Sequence, residues 1–160
     1  MNLRTENTTV RTISEALFPA LLKPARVLVV DDDPITAALL STVAKREGYQ
    51  VVSLRDGREA YRILKSNADF TAAVFNMTMP HLHGVDLVRH MKTEKRLMRI
   101  PVVIVAGEHG LKLITDSFAA GALAFLPKPL TTEKLAQTVR LAIGSQAARK
   151  QSYELGKMAA

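Results

Sequence analysis

The 160 residues contain no cysteine, which excludes disulfides and thiol chemistry and agrees with a cytoplasmic setting. No run of eighteen apolar residues is present, so no membrane-spanning helix is expected. The N-terminus has neither the charged start nor the long apolar stretch of a secretory signal. No glycine-rich phosphate loop follows the first apolar run. Carboxylates stand there instead, and they would repel an anion. What is present suits one folded unit. Hydrophobic residues make up 48% of the chain, enough for a real core, and the length fits one domain with modest extensions. The net charge is +7, spread as +4 over residues 25–144, +1 before them and +2 after. The densest basic group is Lys92, Lys95, Arg96 and Arg99. It reads as a solvated helix end, where cations suit the dipole; contact with an acidic partner or nucleic acid is the alternative.

Five apolar runs at 26–30, 50–54, 71–75, 101–105 and 123–126 alternate with five helical patterns. The runs are mostly unbroken rather than alternating, as in parallel strands buried on both faces. Asp33 can cap the first helix, with Pro34 at its first position and Gly48 just past its end. Asp56 can cap a second, running to about Asn67. A third covers about 85–93, and a fourth about 111–120, stopping at Gly121. Thr131 or Thr132 can cap the fifth, which reaches Ile143 before Gly144. This order predicts an α/β fold: a flavodoxin-like, doubly wound, five-stranded parallel sheet in the order 2-1-3-4-5, with five helices and its site at the carboxyl ends of the strands. The domain expected is 25–144. Residues 1–24 form an N-terminal extension, with 1–10 disordered and 13–22 patterned as a short helix. Residues 145–160 form a tail with helix-favouring composition that can prolong the last helix.

Three places along this scaffold carry chemistry. Asp31, Asp32 and Asp33 follow the first run directly, which puts carboxylates at the sheet's C-terminal edge; Asp33 is accounted for as the helix cap. Asn76 follows the third run, and a Met-Pro pair, Met79-Pro80, comes shortly after it. Lys128 lies in Phe125-Leu126-Pro127-Lys128-Pro129, after the fifth run. His81, His83 and His109 sit in loops that could gather near the pocket mouth. A His-x-His pair alone is weak evidence for a metal, and no third ligand is set by spacing, so they are expected to be exposed loop residues. His90 is expected on a helix surface.

From Ala25 to Ile143 the chain resembles the response-regulator receiver domains of two-component signalling. The matched stretches are Val29-Val30-Asp31-Asp32-Asp33-Pro34, Met79-Pro80 with Gly84, and Lys128-Pro129. The resemblance implies an acidic pocket of Asp31 and Asp32 for Mg2+, joined by the backbone carbonyl of Thr78, with Lys128 pointing into it and pairing with one of the two carboxylates. It places Asn76 at the phospho-acceptor position, where the family has aspartate. It places Ala106 where a Ser or Thr hydroxyl usually contacts the phosphoryl group, and Phe125 at the aromatic switch position. An amide is a poor nucleophile and a neutral, weaker metal ligand. The expectation is therefore a degenerate form, a single-domain pseudo-receiver without enzymatic activity of its own, needing no cofactor and binding Mg2+ weakly. The alternative is an ordinary phospho-accepting receiver whose aspartate was deliberately replaced by Asn76. A ligand- or metal-binding module of the same fold is a third reading. The implied partner is a protein, whether histidine kinase, other regulator or effector, with a homodimer as a further option and no nucleic acid or membrane. The implied surface is the face of the fourth helix, fifth strand and fifth helix, with Leu111, Lys112, Thr115 and Asp116 on the fourth helix and Lys134, Gln137, Thr138 and Arg140 on the fifth.

Overall fold

The computed structural model describes residues 25–159. Strands and helices alternate throughout: β1 (Arg26–Val30), α1 (Pro34–Arg46), β2 (Gln50–Leu54), α2 (Gly57–Ser66), β3 (Ala72–Asn76), α3 (Gly84–Lys92), β4 (Val102–Ala106), α4 (Leu111–Ala120), β5 (Ala124–Pro127) and α5 (Thr132–Ala159). All strand pairs are parallel, and the order across the sheet is β2-β1-β3-β4-β5. The expected doubly wound sheet, its strand order and its five helices are therefore all present among the described residues. The readings of 1–10 as disordered and of 13–22 as a short helix lie outside the described residues. Among the described residues no helix is long and apolar enough to cross a membrane.

Burial follows sheet position. β3 and β4 are buried at every residue and β1 at all but Arg26, whereas the edge strands β2 and β5 stay partly exposed. Two cores result. One, built around Phe75, Leu87, Met91 and Ile104, lies beneath α2 and α3. The other, built around Val29, Val74, Val105 and Leu135, lies beneath α1 and α5. Fully burying a Leu, Val or Phe side chain contributes about 1.5–3 kcal/mol each, so the unbroken apolar runs supply most of the driving force.

Local signals set the helix ends. Asp33 accepts from the backbone N–H groups of Ile35 and Thr36, with Pro34 at the first helical position. Asp56 accepts from Arg58 N at 2.7 Å, and Thr131 Oγ1 from Lys134 N at 3.2 Å. Gly121 closes α4 in the left-handed conformation, at φ 112°. β3, β4 and β5 each fall one residue later than expected. β3 and β4 run one residue further than their apolar stretches, because Asn76 still pairs in register with Val105 and Ala106 with Pro127. The last helix continues past Gly144 to Ala159, as the helix-favouring composition of the tail allowed. A mid-helix glycine costs about 1 kcal/mol relative to alanine, which helix-favouring neighbours can offset.

Two other glycines are required by close approach of backbone. A Cβ on Gly84 would lie 2.3 Å from the Asn76 carbonyl oxygen, and one on Gly57 would lie 2.2 Å from that of Leu82. Gly84 thus lets the start of α3 press against the end of β3. Gly144 meets nothing within 4 Å. The expected outcome in urea unfolding is that Gly84→Ala loses about 1–3 kcal/mol through forced backbone displacement, while Gly144→Ala gains about 0.5–1 kcal/mol. Equal stabilities for the two variants would contradict this packing.

Candidate functional site

Parallel pairing delivers the ends of β1, β3, β4 and β5 to one edge of the sheet, and the singled-out residues meet there. Asp31 leaves β1 fully buried, at 0% exposure. Its Oδ1 accepts from Asp33 N at 2.9 Å. Its Oδ2 lies 3.3 Å from Lys128 Nζ, whose side chain is 23% exposed. This is an ion pair rather than a directed hydrogen bond, since Oδ2 has no hydrogen-bond partner. Burial raises the pKa of Asp31 above the usual carboxylate value; the Asp33 N–H and the Lys128 ammonium oppose that, and the charge of Asp32 adds to it. Asp33 goes the other way, held below its ordinary value first by the Thr36 hydroxyl and then by the Ile35 N–H. It is occupied as a cap, in line with its assignment from the sequence.

Asp32 is exposed, and Asn76, at the end of β3, is buried. Asn76 Nδ2 donates to Asp32 Oδ1 at 3.0 Å and to the Thr78 carbonyl at 2.8 Å. Ala106 ends β4 buried, and its carbonyl accepts from Lys128 N at 2.8 Å, so the backbone of β4 aims the lysine inward. The Lys128-Pro129 peptide is cis. Phe125 is half-buried and packs against the core beneath α2 and α3. An open groove of about 520 Å³ lies over these residues, with Asn76, Thr78, His83, Ala106, Glu108 and Lys128 among its lining.

The histidines do not converge. His83 precedes α3, and its Nδ1 accepts weakly from Met79 N at 3.4 Å. His81, at φ 67°, sits 3.8 Å from Asp56 Oδ2 on the side of α2. His90 packs on Tyr61 with ring centroids 5.3 Å apart, and His109 is exposed in the loop before α4. Among the described residues no three His, Asp or Glu side chains form a group that could hold a metal ion. The oxygens of Asp31, Asp32 and Thr78 are hard ligands of the kind Mg2+ takes. Asn76 Nδ2 already donates to Asp32 Oδ1 and to the Thr78 carbonyl, and its N–H dipoles oppose a cation there, so the set as arranged fits the ion poorly.

Sequence reasoning missed Glu108 and the Asp86–Arg89 pair, joined at 2.7 Å, which line the far side of the groove. A one-turn spacing of opposite charges on α3 was visible, but its place in the groove that Lys128 also lines depends on how α3 packs on the sheet. Arg140 needs a correction. It does not belong to the face shared with α4: its Nε bonds Glu47 Oε2 at 3.0 Å and so points to α1. The charge at the C-terminal end of α1 draws it there.

Carboxylates after β1 and a lysine after β5, brought together at one edge of a five-stranded parallel sheet, have the architecture of a receiver-type domain. Residues 27–140 match the response regulator receiver domain family, and the chain belongs to that family. It is 28% identical over 121 residues to the chemotaxis protein CheY1 of Helicobacter pylori strain ATCC 700392 / 26695, covering 75% of this chain and 98% of that one. It is 36% identical over 118 residues to the gliding motility regulatory protein of Myxococcus xanthus, covering 73% of this chain but 15% of that protein. Among solved structures it is similar to the chemotaxis response regulator CheY4 of Vibrio cholerae, with a TM-score of 0.70, 26% identity, and coverage of 75% of this chain and 99% of that one.

Removing one partner of a buried charge pair leaves the other uncompensated. Lys128→Met should therefore lose about 1–3 kcal/mol near neutral pH, and adding Asp31→Asn should recover part of it. The pH dependence follows from the raised pKa of Asp31. The native state holds that proton more tightly than the unfolded chain does. That contribution is complete below the unfolded pKa and is lost as pH rises through the folded one. The Lys128→Met deficit should therefore be largest near neutral pH and shrink as the solution is acidified. Urea unfolding across that range checks the trend, and a deficit that does not change with pH would separate Lys128 from Asp31.

Proposed function

We propose that this receiver works without phosphotransfer, as a pseudo-receiver that binds a protein partner in two-component signalling and keeps one conformation. The observation that carries the reading is the amide at position 76. Phosphoryl transfer to a receiver needs a carboxylate lone pair aimed at phosphorus. Here the nitrogen of Asn76 is instead directed at Asp32 and Thr78, and an amide nitrogen is not nucleophilic. Ala106 adds to this, because a methyl group offers no hydroxyl to a phosphoryl oxygen and no hydrogen bond that could draw Phe125 inward. The partner proposed is a histidine kinase, another regulator or an effector.

The proposed surface is the face of α4, β5 and α5. Two large apolar side chains of α4 are exposed to solvent, Leu111 at 83% and Phe118 at 49% exposure. Beside them Lys112 is paired with Asp116 at 2.7 Å on the helix surface, a contact of small energetic value. Exposed anchors with a polar rim are what a protein interface uses. A second reading is favoured by the intact Asp31–Lys128 pair: an ordinary phospho-accepting receiver in which Asn76 replaced an aspartate by design. The genomic sequence at codon 76 distinguishes the two.

Incubation with acetyl phosphate and Mg2+ should add no acid-labile phosphoryl group by intact mass. A phosphoryl group mapped to Asp31 or Asp32 would overturn the silent-site reading. In pull-downs from the native host, Leu111→Asp and Lys112→Glu should each weaken capture of the partner. Capture that survives both changes, and is lost only on deleting 1–23, would assign recognition to the extension.

A further inference from the structure

A carboxamide nitrogen can donate two hydrogen bonds, and Asn76 Nδ2 directs both at oxygens on different segments. One is Asp32 Oδ1, just after β1, at 3.0 Å; the other is the Thr78 carbonyl, in the loop after β3, at 2.8 Å. Turning the amide by half a rotation would set its own oxygen against these two oxygens, so the neighbours fix its orientation. We propose that the Asn76 amide is a built-in substitute for a divalent cation: it bridges the Asp32 carboxylate and the Thr78 carbonyl, and so holds the loop between β3 and α3 without metal. The proposal rests on the silent-site reading, in which asparagine is the working residue of the pocket.

The rest of the pocket is consistent with this division of labour. The buried carboxylate of Asp31 is served by the Lys128 ammonium at 3.3 Å and by Asp33 N at 2.9 Å. The exposed carboxylate of Asp32 is served by the amide. The loop's two ends are tied by neutral hydrogen bonds, Met77 N to the Val105 carbonyl at 2.8 Å and Gly84 N to the Met77 carbonyl at 2.9 Å. Thr78 lies between these ties and is exposed; its peptide plane is held by the amide bridge at its carbonyl and by the longer bond from Met79 N to His83 Nδ1 at 3.4 Å. A cation placed between Asp32 and Thr78 would meet the positive ends of both N–H dipoles, and would have to displace both hydrogen bonds to take Asp32 Oδ1 and the Thr78 carbonyl as ligands. An aspartate at position 76 reverses each term: the bridge is lost, a third carboxylate joins two others, and a cation becomes the group able to reconnect the loop.

The test uses the full chain, with Mg2+ as the probe and backbone amide NMR as the readout. In the wild type the amides of residues 31–33 and 77–79 should not shift at about 10 mM Mg2+, a concentration that would fill a site of about 1 mM Kd to about nine-tenths. In Asn76→Asp they should shift and saturate. Without metal, Asn76→Asp should lose hydrogen-exchange protection at Met77, Met79 and Gly84 by about fivefold, the scale of one lost hydrogen bond, and Mg2+ should restore it. Asn76→Ala removes the bridge without adding charge; it should lose the same protection, and Mg2+ should not restore it. Saturable Mg2+ shifts in the wild type would overturn the proposal, and so would wild-type protection in either metal-free variant. Phosphoryl uptake from acetyl phosphate reads the silent-site proposal alone, so failure of that reading and failure of the bridge are separately visible.

Discussion

Parallel strand pairing is the constraint on which the rest of this molecule depends. It requires each strand to return by way of a helix, so the carboxyl ends of β1, β3, β4 and β5 all emerge at one edge. Residues separated by almost a hundred positions, Asp31 and Lys128, become an ion pair at 3.3 Å for that reason. The pairing also sets where each chemical group stands. Asn76 and Ala106 are the last residues of adjacent central strands, in register with Val105 and Pro127. The fully buried strands beneath them leave those ends little freedom to move.

Electrostatics at that edge is a problem of two adjacent carboxylates in unequal surroundings. Asp31 is taken out of water entirely, and burial raises its pKa despite an ammonium and an N–H nearby. Asp32 stays in solvent, where a neutral donor suffices. The amide of Asn76 is such a donor, and it adds no charge to a site whose lysine is already beside Asp31. Hydrogen bonds to charged groups are among the stronger ones available to a protein, and here one connects the β1 edge to the loop that leads into α3. That loop in turn sits tightly on its surroundings, because Gly57 and Gly84 allow backbone to approach where any side chain would collide.

The same edge bears on signalling. A receiver that responds to phosphate needs a hydroxyl or similar group to carry the change from the pocket to the outer face. Ala106 presents only a methyl group, buried at the end of β4. α4 also keeps two large apolar side chains in water, Leu111 and Phe118. The pseudo-receiver proposed above joins these two features, a pocket without the usual hydroxyl and exposed apolar side chains on α4.

Much of this was legible in the amino-acid sequence. Unbroken apolar runs gave buried parallel strands, Asp33 and Asp56 gave caps, Gly121 gave a helix end, and the alternation of elements gave the strand order. The acidic triplet, Asn76 and Lys128 were recognisable as candidates because motif and position are one-dimensional facts. Only the tertiary structure decided how they connect. The sequence alone left open whether Lys128 would face Asp31 or Asp32, because that depends on the depth of each carboxylate below the surface. It gave no sign that the Asn76 amide spans Asp32 and Thr78, since a hydrogen bond between strands depends on register and on the path of a loop. It placed Arg140 with the wrong neighbours, because helical spacing gives a residue's angle around its own axis but not which helix lies across from it. Local propensity and pattern are properties of short segments, whereas distances between side chains on different segments exist only once the sheet has closed its order.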